Sequence, residues 1–160
     1  MRNILKYLLL VVVLTSCGKD IERNIIDKVS KEFINNPKKN HILDLKDVTK
    51  FQWDKVYLIQ DWTTSDSIAL ITGLKYNGND VKDDYTRMLF VSKNQIVHEE
   101  NFRSLDYNKS TICFQTDSNT NFYTQKDYLR PTESKFMVEQ SKIKGSCKEC
   151  FFYSLIPLLR

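Results

Sequence analysis

The chain has 160 residues, with 24 Lys and Arg against 20 Asp and Glu, a formal net charge of +4 at pH 7. Nucleic-acid-binding domains usually carry a clustered basic patch on a strongly basic surface, so this near-neutral balance argues against nucleic acid as a partner. The length suits one domain with one core. With four Gly and three Pro, the chain shows no low-complexity linker and no internal repeat that would divide it.

The N-terminus has the organisation of a bacterial export signal. A short basic region with Arg2 and Lys6 precedes the apolar run Tyr7 to Leu14. This run is too short for a transmembrane helix, which needs about 20 apolar residues. It ends in Leu14-Thr15-Ser16-Cys17, which resembles the lipobox of bacterial lipoproteins: a branched apolar residue, two small residues and a cysteine.

The lipobox resemblance implies that residues 1–16 are a signal peptide that is removed and that Cys17 is the lipidation site. Its thiol takes a diacylglycerol, and the amine freed by cleavage can then be acylated, for example with palmitate. Two or three acyl chains, at about 0.8 kcal/mol per buried methylene, make a lasting membrane anchor. The expected location is therefore the cell envelope, on the outer membrane or the periplasmic face if the cell has two membranes. The alternative is an ordinary secretory signal in which Cys17 occurs by chance.

Residues 17–20 are then a lipidated tether, and residues 21–160 are expected to form a single α+β domain. Asp20 is a predicted N-cap, and Asn35-Asn36-Pro37 a predicted stop, for an N-terminal amphipathic helix. Its apolar positions at helical spacing are Ile21, Ile25, Ile26, Val29, Phe33 and Ile34. The polar face has mixed charge, which favours packing on the domain core over lying on the membrane.

The rest of the chain alternates apolar and polar residues, which predicts strands. Strands are predicted at 42–48, 51–59 with a continuation to Asp61-Trp62, 86–91, 95–99, 110–116, 121–128, 135–140 and 150–156, with turns at 92–94 and 117–119. A short second helix is predicted at about 65–72, capped within Thr63–Asp66 and closed by Gly73. Two helices packed on consecutive strands predict an α+β fold whose sheet is a mostly antiparallel meander.

The stretch Phe51-Gln52-Trp53-Asp54-Lys55-Val56-Tyr57 resembles one found in small, largely uncharacterised bacterial lipoproteins and exported proteins. The resemblance extends over about residues 21–72 and implies no particular activity. Strand alternation places Phe51 and Trp53 on one face and Val56 on the other. Trp53 is predicted to be a core anchor with its indole N–H bonded, rather than a ligand platform.

The sequence lacks the motifs of common enzyme classes: it has no G-x-S-x-G elbow, no H-E-x-x-H and no P-loop. The two histidines are His41 and His98, and alternation places His98 with Ile96 on one face as a solvated or edge residue. Neighbours in the pairs Asp83-Asp84 and Glu99-Glu100 point to opposite faces of a strand, which favours solvated turns or strand ends over an acid-base pair. No catalytic residue, metal site or cofactor is predicted.

Three cysteines, Cys113, Cys147 and Cys150, remain once Cys17 is acylated. A disulfide between Cys147 and Cys150 closes a loop of about four residues, whereas one from Cys113 closes about 35 and gains more from loop entropy. The local bridge, a bridge to Cys113 and free thiols all stay open. A zinc site with His98 or His41 is a weaker alternative, because a single C-x-x-C lacks the second half of such a site.

The sequence therefore predicts a membrane-anchored lipoprotein with a non-enzymatic binding domain, whose partners are the bilayer and an envelope protein. One alternative is a periplasmic inhibitor or immunity-type lipoprotein that blocks a partner enzyme through an exposed aromatic and acidic patch. A second is an envelope thiol-disulfide protein that uses Cys147 and Cys150, which would require the C-x-x-C to be exposed at the start of a helix.

The first testable prediction concerns the anchor. Cys17→Ser should abolish metabolic labelling with radioactive palmitate and leave an uncleaved or misprocessed precursor, because the hydroxyl cannot accept the diacylglycerol. Cys113→Ser is the matched control and should be labelled and processed normally. Normal processing and labelling of the Cys17→Ser variant would refute the lipobox assignment.

Overall fold

A computed structural model describes residues 20–104, 106, 109–114, 128–143 and 150–158. The predicted signal peptide, the lipidation site Cys17, Cys147, the turn at 117–119 and most of the predicted strand at 121–128 lie outside these residues. Within the described ranges, no helix is both long enough and apolar enough to span a bilayer.

Two helices and eight strands form the described part of the chain, which confirms the α+β class. In chain order they are α1 (Ile21–Asn35), β1 (His41–Asp44), β2 (Lys55–Ile59), α2 (Ser65–Thr72), β3 (Tyr85–Ser92), β4 (Gln95–Arg103), β5 (Thr111–Phe114), β6 (Tyr128–Leu129), β7 (Lys135–Lys142) and β8 (Phe151–Pro157). Residues next to α2 in the chain cap both of its ends. Thr64 caps α2 by accepting the Ser67 N–H at 3.2 Å, and Gly73, at φ 67°, ends it in the left-handed conformation.

The strands form two four-stranded sheets, so the predicted single meander is wrong. The first sheet has the order β1-β7-β8-β5, and the second sheet has the order β4-β3-β2-β6. All neighbours are antiparallel except β5 and β8, which are parallel. After β4 the chain leaves the second sheet, and β5 finds its partner near the C-terminus. Such a distant partner leaves no trace in the local alternation from which strands are predicted.

The aromatic stretch before β2 is not part of the strand, contrary to the prediction. β2 begins only at Lys55, so Phe51 and Trp53 pack in the same core as Val56, which strand alternation would have placed on the opposite face. Asp54 accounts for the break. Its backbone N–H donates to the Val91 carbonyl at 2.7 Å and its carboxylate accepts the Lys93 N–H at 2.6 Å.

The hairpin between β3 and β4 turns at Lys93 and Asn94, as the sequence predicts. Both residues have positive φ angles, 50° and 59°, which is the requirement of a two-residue type I′ turn. The Asp54 carboxylate on the Lys93 N–H therefore fixes the turn from outside the hairpin.

Two hydrophobic cores result from this arrangement. The main core lies between α1 and one face of each sheet, with Ile21, Ile25 and Val29 of α1 almost fully buried. The smaller core lies on the opposite face of the second sheet, where α2 inserts Ile68 against Tyr57 and other residues of the sheet. Both faces of the second sheet are thus covered.

Trp53 is confirmed as a core anchor and supplies the second prediction. It is 6% exposed, its indole N–H donates to Thr49 Oγ1 at 3.0 Å, and its ring meets Phe90 edge to face at 5.4 Å. Trp53→Ala should lower the free energy of unfolding by about 3–5 kcal/mol in chemical denaturation, because it empties this space. Trp62→Ala, at a residue 73% exposed, is the matched control. Equal, small losses in both variants would show that Trp53 is not an anchor.

Candidate functional site

Glu100 was predicted to be a solvated strand end, and the structure shows this to be wrong. Its Oε2 accepts the Ile21 N–H at 2.8 Å and its Oε1 accepts the Glu22 N–H at 2.9 Å. These are the first N–H groups of α1, which have no acceptor within the helix. Glu99 points to the other face of β4, where it accepts the Tyr76 hydroxyl at 3.0 Å. Glu99 and Glu100 point to opposite faces of β4, as predicted, but Glu100 caps the N-terminus of α1 instead of facing solvent.

His98 is also placed differently from the prediction. Phe90 pairs with His98 and Val91 with Ile96, so Val97 is the extra residue of a β-bulge. The bulge turns His98 onto the face opposite Ile96, against the rings of Phe51 and Phe90. There His98 Nε2 lies 3.2 Å from Glu100 Oε2 and orients the carboxylate that caps α1.

The carboxylates at this end of α1 have perturbed pKa values. Burial would raise the pKa of Glu100, but hydrogen bonds from His98, Asp20 and the α1 N–H groups outweigh it and lower the pKa to about 2. The hydrogen bond to Glu100, together with burial, raises the pKa of Asp20. Burial likewise raises the pKa of Glu22, opposed by Lys109 Nζ at 3.3 Å from its Oε2. The negative charge therefore resides on Glu100, next to the positive end of the helix dipole.

His41 holds the opposite end of α1. It is 5% exposed, its Nε2 lies 2.9 Å from the Asn36 carbonyl, and its Nδ1 lies 3.4 Å from Glu32 Oε2. Because a carbonyl only accepts, Nε2 carries the proton in this contact. The two histidines thus lie at opposite ends of a 15-residue helix, about 20 Å apart at 1.5 Å per residue, and do not share a site.

The structure excludes two of the three alternatives for the cysteines. Cys150 is disulfide-bonded and Cys113 is a free thiol, so the bridge to Cys113 and the alternative without any bridge are both wrong. The register of the parallel β5–β8 pair keeps the two cysteines apart. Cys113 lies opposite Ser154 in the parallel β5–β8 pair, four residues beyond Cys150 or about 13 Å along the strand, whereas a disulfide needs Cα atoms within about 7 Å. The partner of Cys150 lies outside the described residues, and burial raises the pKa of the Cys113 thiol.

Three exposed large apolar side chains lie on α2 or just before it. Trp62 is 73% exposed and Leu70 83%, and Ile71 is exposed to a lesser degree. Two aspartates lie among them. Asp66 is one helical turn from Leu70, and Asp61 adjoins Trp62. We call these five residues the Trp62 surface. Sequence analysis missed it, since Trp62 stood at the end of a predicted strand.

Trp62 is held by its backbone although its side chain is in solvent. Its N–H donates to the Val81 carbonyl at 3.1 Å, and the Val81 N–H donates to the Thr63 carbonyl at 2.9 Å. Its φ of 60° lies in the left-handed region, which bulky residues rarely adopt. Backbone strain of this kind persists only where neighbouring contacts impose it, and it is concentrated at functional sites.

The buried side chain of Arg87 holds the loop that contacts Trp62. Arg87 of β3 is 4% exposed and donates to the Asn79 carbonyl and to the Tyr76 hydroxyl, which holds the loop before Val81 against the second sheet. From this loop, Asp80 Oδ1 accepts the Ser65 N–H at the start of α2, at 2.7 Å. The loop, α2 and Trp62 are therefore one connected unit.

The segment that carries the Trp62 surface is acidic, with Lys82 at its edge beside Val81, whose carbonyl accepts the Trp62 N–H. The segment 60–74 contains Asp61 and Asp66 and neither Lys nor Arg, and Asp80 adds a third carboxylate beside Ser65. An exposed indole on a fixed backbone, in an acidic segment of the chain, can bind an apolar pocket with a basic rim. None of the five residues of this surface is a histidine or a cysteine.

Comparison with protein-family models, with curated proteins and with solved structures gave no match to this chain. Among the residues that the structure describes, no cluster of three or more His, Cys, Asp or Glu side chains is arranged to hold a metal ion. Since neither a relative nor a metal site indicates a role, the proposal of a function rests on the exposure and backbone contacts of Trp62.

The third prediction is a pH dependence at the capped end of α1. A carboxyl with a lowered folded pKa contributes stability above its unfolded value of about 4.3 and loses it as the pH falls towards the folded value. The excess free energy of unfolding of wild type over Glu100→Gln should therefore be greatest near pH 7 and shrink between about pH 4.5 and pH 2. Glu22, whose pKa is raised mainly by burial, changes in the opposite direction in both proteins and largely cancels, whereas the raised pKa of Asp20 depends on Glu100 and offsets part of the difference.

The control for this experiment is Glu99→Gln, which removes the same charge from the opposite face of β4. Chemical denaturation monitored by circular dichroism at several pH values measures all three proteins. A constant difference between wild type and Glu100→Gln across this pH range would contradict the assignment of the lowered pKa to Glu100.

Proposed function

We propose that this chain is a lipid-anchored envelope protein whose α+β domain binds a partner protein through the Trp62 surface. The observation that carries the proposal is the combination at Trp62 of a solvent-exposed indole with a fixed, strained backbone. Tryptophan is enriched among the residues that dominate binding energy, and a rigid aromatic side chain loses little conformational entropy on binding.

The lipobox and the position of α1 support the anchored part of the proposal. If Cys17 carries the lipid, only Gly18, Lys19 and Asp20 separate it from α1, which begins at Ile21. Three residues reach about 10 Å at full extension, so the domain would lie close to the headgroups. Since Glu100 holds the first turn of α1, unwinding the helix to lengthen the tether would break both of its N–H contacts.

The second candidate function is an inhibitor or immunity-type lipoprotein, and Asp61 and Asp66 favour it. Carboxylates around an exposed indole complement an enzyme cleft with a basic rim, which the indole could occupy. Inhibition of the partner's activity by the purified protein would distinguish this role from simple attachment. The thiol-disulfide alternative gains no support, because Cys150 is 2% exposed and leads directly into strand β8 rather than into a helix.

The fourth prediction tests the Trp62 surface in the cell envelope. A photo-crosslinking amino acid at Leu70, which is 83% exposed, should give a discrete protein adduct, because it lies one turn from Asp66 on the proposed contact face. The same amino acid at Ile34, which is 79% exposed on α1, is the matched control and should not give that adduct.

Adding Trp62→Ala to the Leu70 probe should reduce the adduct at least about tenfold, since loss of a binding hot spot costs about 2 kcal/mol or more. Equal adducts from both probe positions, or an adduct unaffected by Trp62→Ala, would refute the proposed surface.

A further inference from the structure

A groove of about 530 Å³ lies between the C-terminal half of α1 and the first sheet, away from the Trp62 surface. Its lining includes Ser30, Phe33, Ser110, Gln140, Phe151 and Tyr153, with the exposed Ile34 also on its wall. α1 contacts the two edge strands of this sheet, β1 and β5, and the groove is lined by residues of β7 and β8 between them. Its volume is within the range of small-molecule binding sites, about 300–1,000 Å³.

The floor of the groove is a preformed hydrogen-bonded bridge. Tyr153 is fully buried, and its hydroxyl lies 2.8 Å from Ser30 Oγ on α1 and accepts from Gln140 Nε2 at 3.2 Å. The ring centroids of Phe33 and Phe151 lie 6.0 and 6.3 Å from that of Tyr153. The groove therefore presents aromatic rings and fixed polar groups together.

The polar groups of the groove are neutral and can still bond to a ligand. Ser110 Oγ accepts the Phe151 N–H at 3.1 Å, which leaves its own O–H able to donate. Gln140 uses its amide nitrogen on Tyr153, which leaves its carbonyl oxygen able to accept. No charged side chain is among the described residues that line the groove, so a charged ligand would lose hydration there without gaining a partner.

We propose that this groove binds an uncharged, N-acetylated oligosaccharide. A sugar ring has an apolar C–H face that packs on aromatic rings and a hydroxyl edge that both donates and accepts, and an acetamido group adds a neutral donor and acceptor. These match the aromatic rings, the Ser110 hydroxyl and the Gln140 amide. An acyl chain fits less well, because it would cover those two polar groups without bonding to them, at about 1–3 kcal/mol each. The proposal does not depend on the Trp62 surface.

The test is isothermal titration calorimetry of the full protein in lipid nanodiscs with three probes. These are the tetramer of N-acetylglucosamine, its fully deacetylated cationic counterpart, and decanol as a neutral apolar ligand. Saturable binding of the acetylated tetramer, with the deacetylated tetramer at least about tenfold weaker, is expected because the described residues of the lining carry no charge. Absence of saturable tetramer binding, equal binding of both tetramers, or binding of decanol alone would each overturn the proposal.

Variants assign the binding to the groove. Gln140→Leu keeps the side-chain size and removes the amide, and Ser110→Ala removes the hydroxyl; each should weaken tetramer binding by about tenfold, which corresponds to about 1.4 kcal/mol. Gln95→Leu, at an exposed residue of β4 in the second sheet, is the matched control and should bind as wild type. If Gln140→Leu fails to fold, Ser110→Ala decides alone, and unchanged binding there places the tetramer outside this groove.

Discussion

The fixing of α1 at both of its ends is the constraint on which the rest of the structure depends. Glu100, from β4 of the second sheet, accepts the first two N–H groups of the helix, and His41, from β1 of the first sheet, donates to the carbonyl just past its end. A carboxylate at the N-terminus and an imidazole at the C-terminus both complement the helix dipole. Among the described strands, no hydrogen-bonded pair joins the two sheets. α1 therefore connects them, through its two ends and through the apolar face that it buries in the main core.

This arrangement also determines where the two candidate binding surfaces lie. Ser30, which contacts Tyr153 in the groove, is nine residues beyond Ile21, so the groove lies about 14 Å along α1 from its capped end. If the lipid is attached at Cys17, four positions before Ile21, the distance of the groove from the bilayer is limited by a three-residue tether and one rigid helix. The Trp62 surface belongs to the layer on the far side of the second sheet, where Ile68 packs in the smaller core. The main core thus separates two surfaces that can be occupied independently.

The sequence predicted those features that depend on near neighbours, and the features it failed to predict depend on distant ones. The end of α2 at Gly73, the turn at Lys93-Asn94 and the burial of Trp53 follow from local residue preferences and are confirmed. The face of His98 could not be predicted, because one extra residue at Val97 reverses the alternation. The role of Glu100 was also beyond local patterns, since its partners lie about eighty positions earlier in the chain.

The exposure of Trp62 could not be predicted from the sequence, but the pattern of α2 gives part of the Trp62 surface. Tryptophan is highly buried on average, so a strand ending in Trp62 gives no reason to expect exposure. α2 does carry a mark: Ile68 is its buried residue, and Leu70, two positions later, lies on a different face of the helix. The exposed indole and the acidic residues of segment 60–74 have separate consequences for binding. The charge should speed encounter with a basic partner and be screened by salt, whereas the contact made by Trp62 should persist at high ionic strength and determine how slowly the complex dissociates.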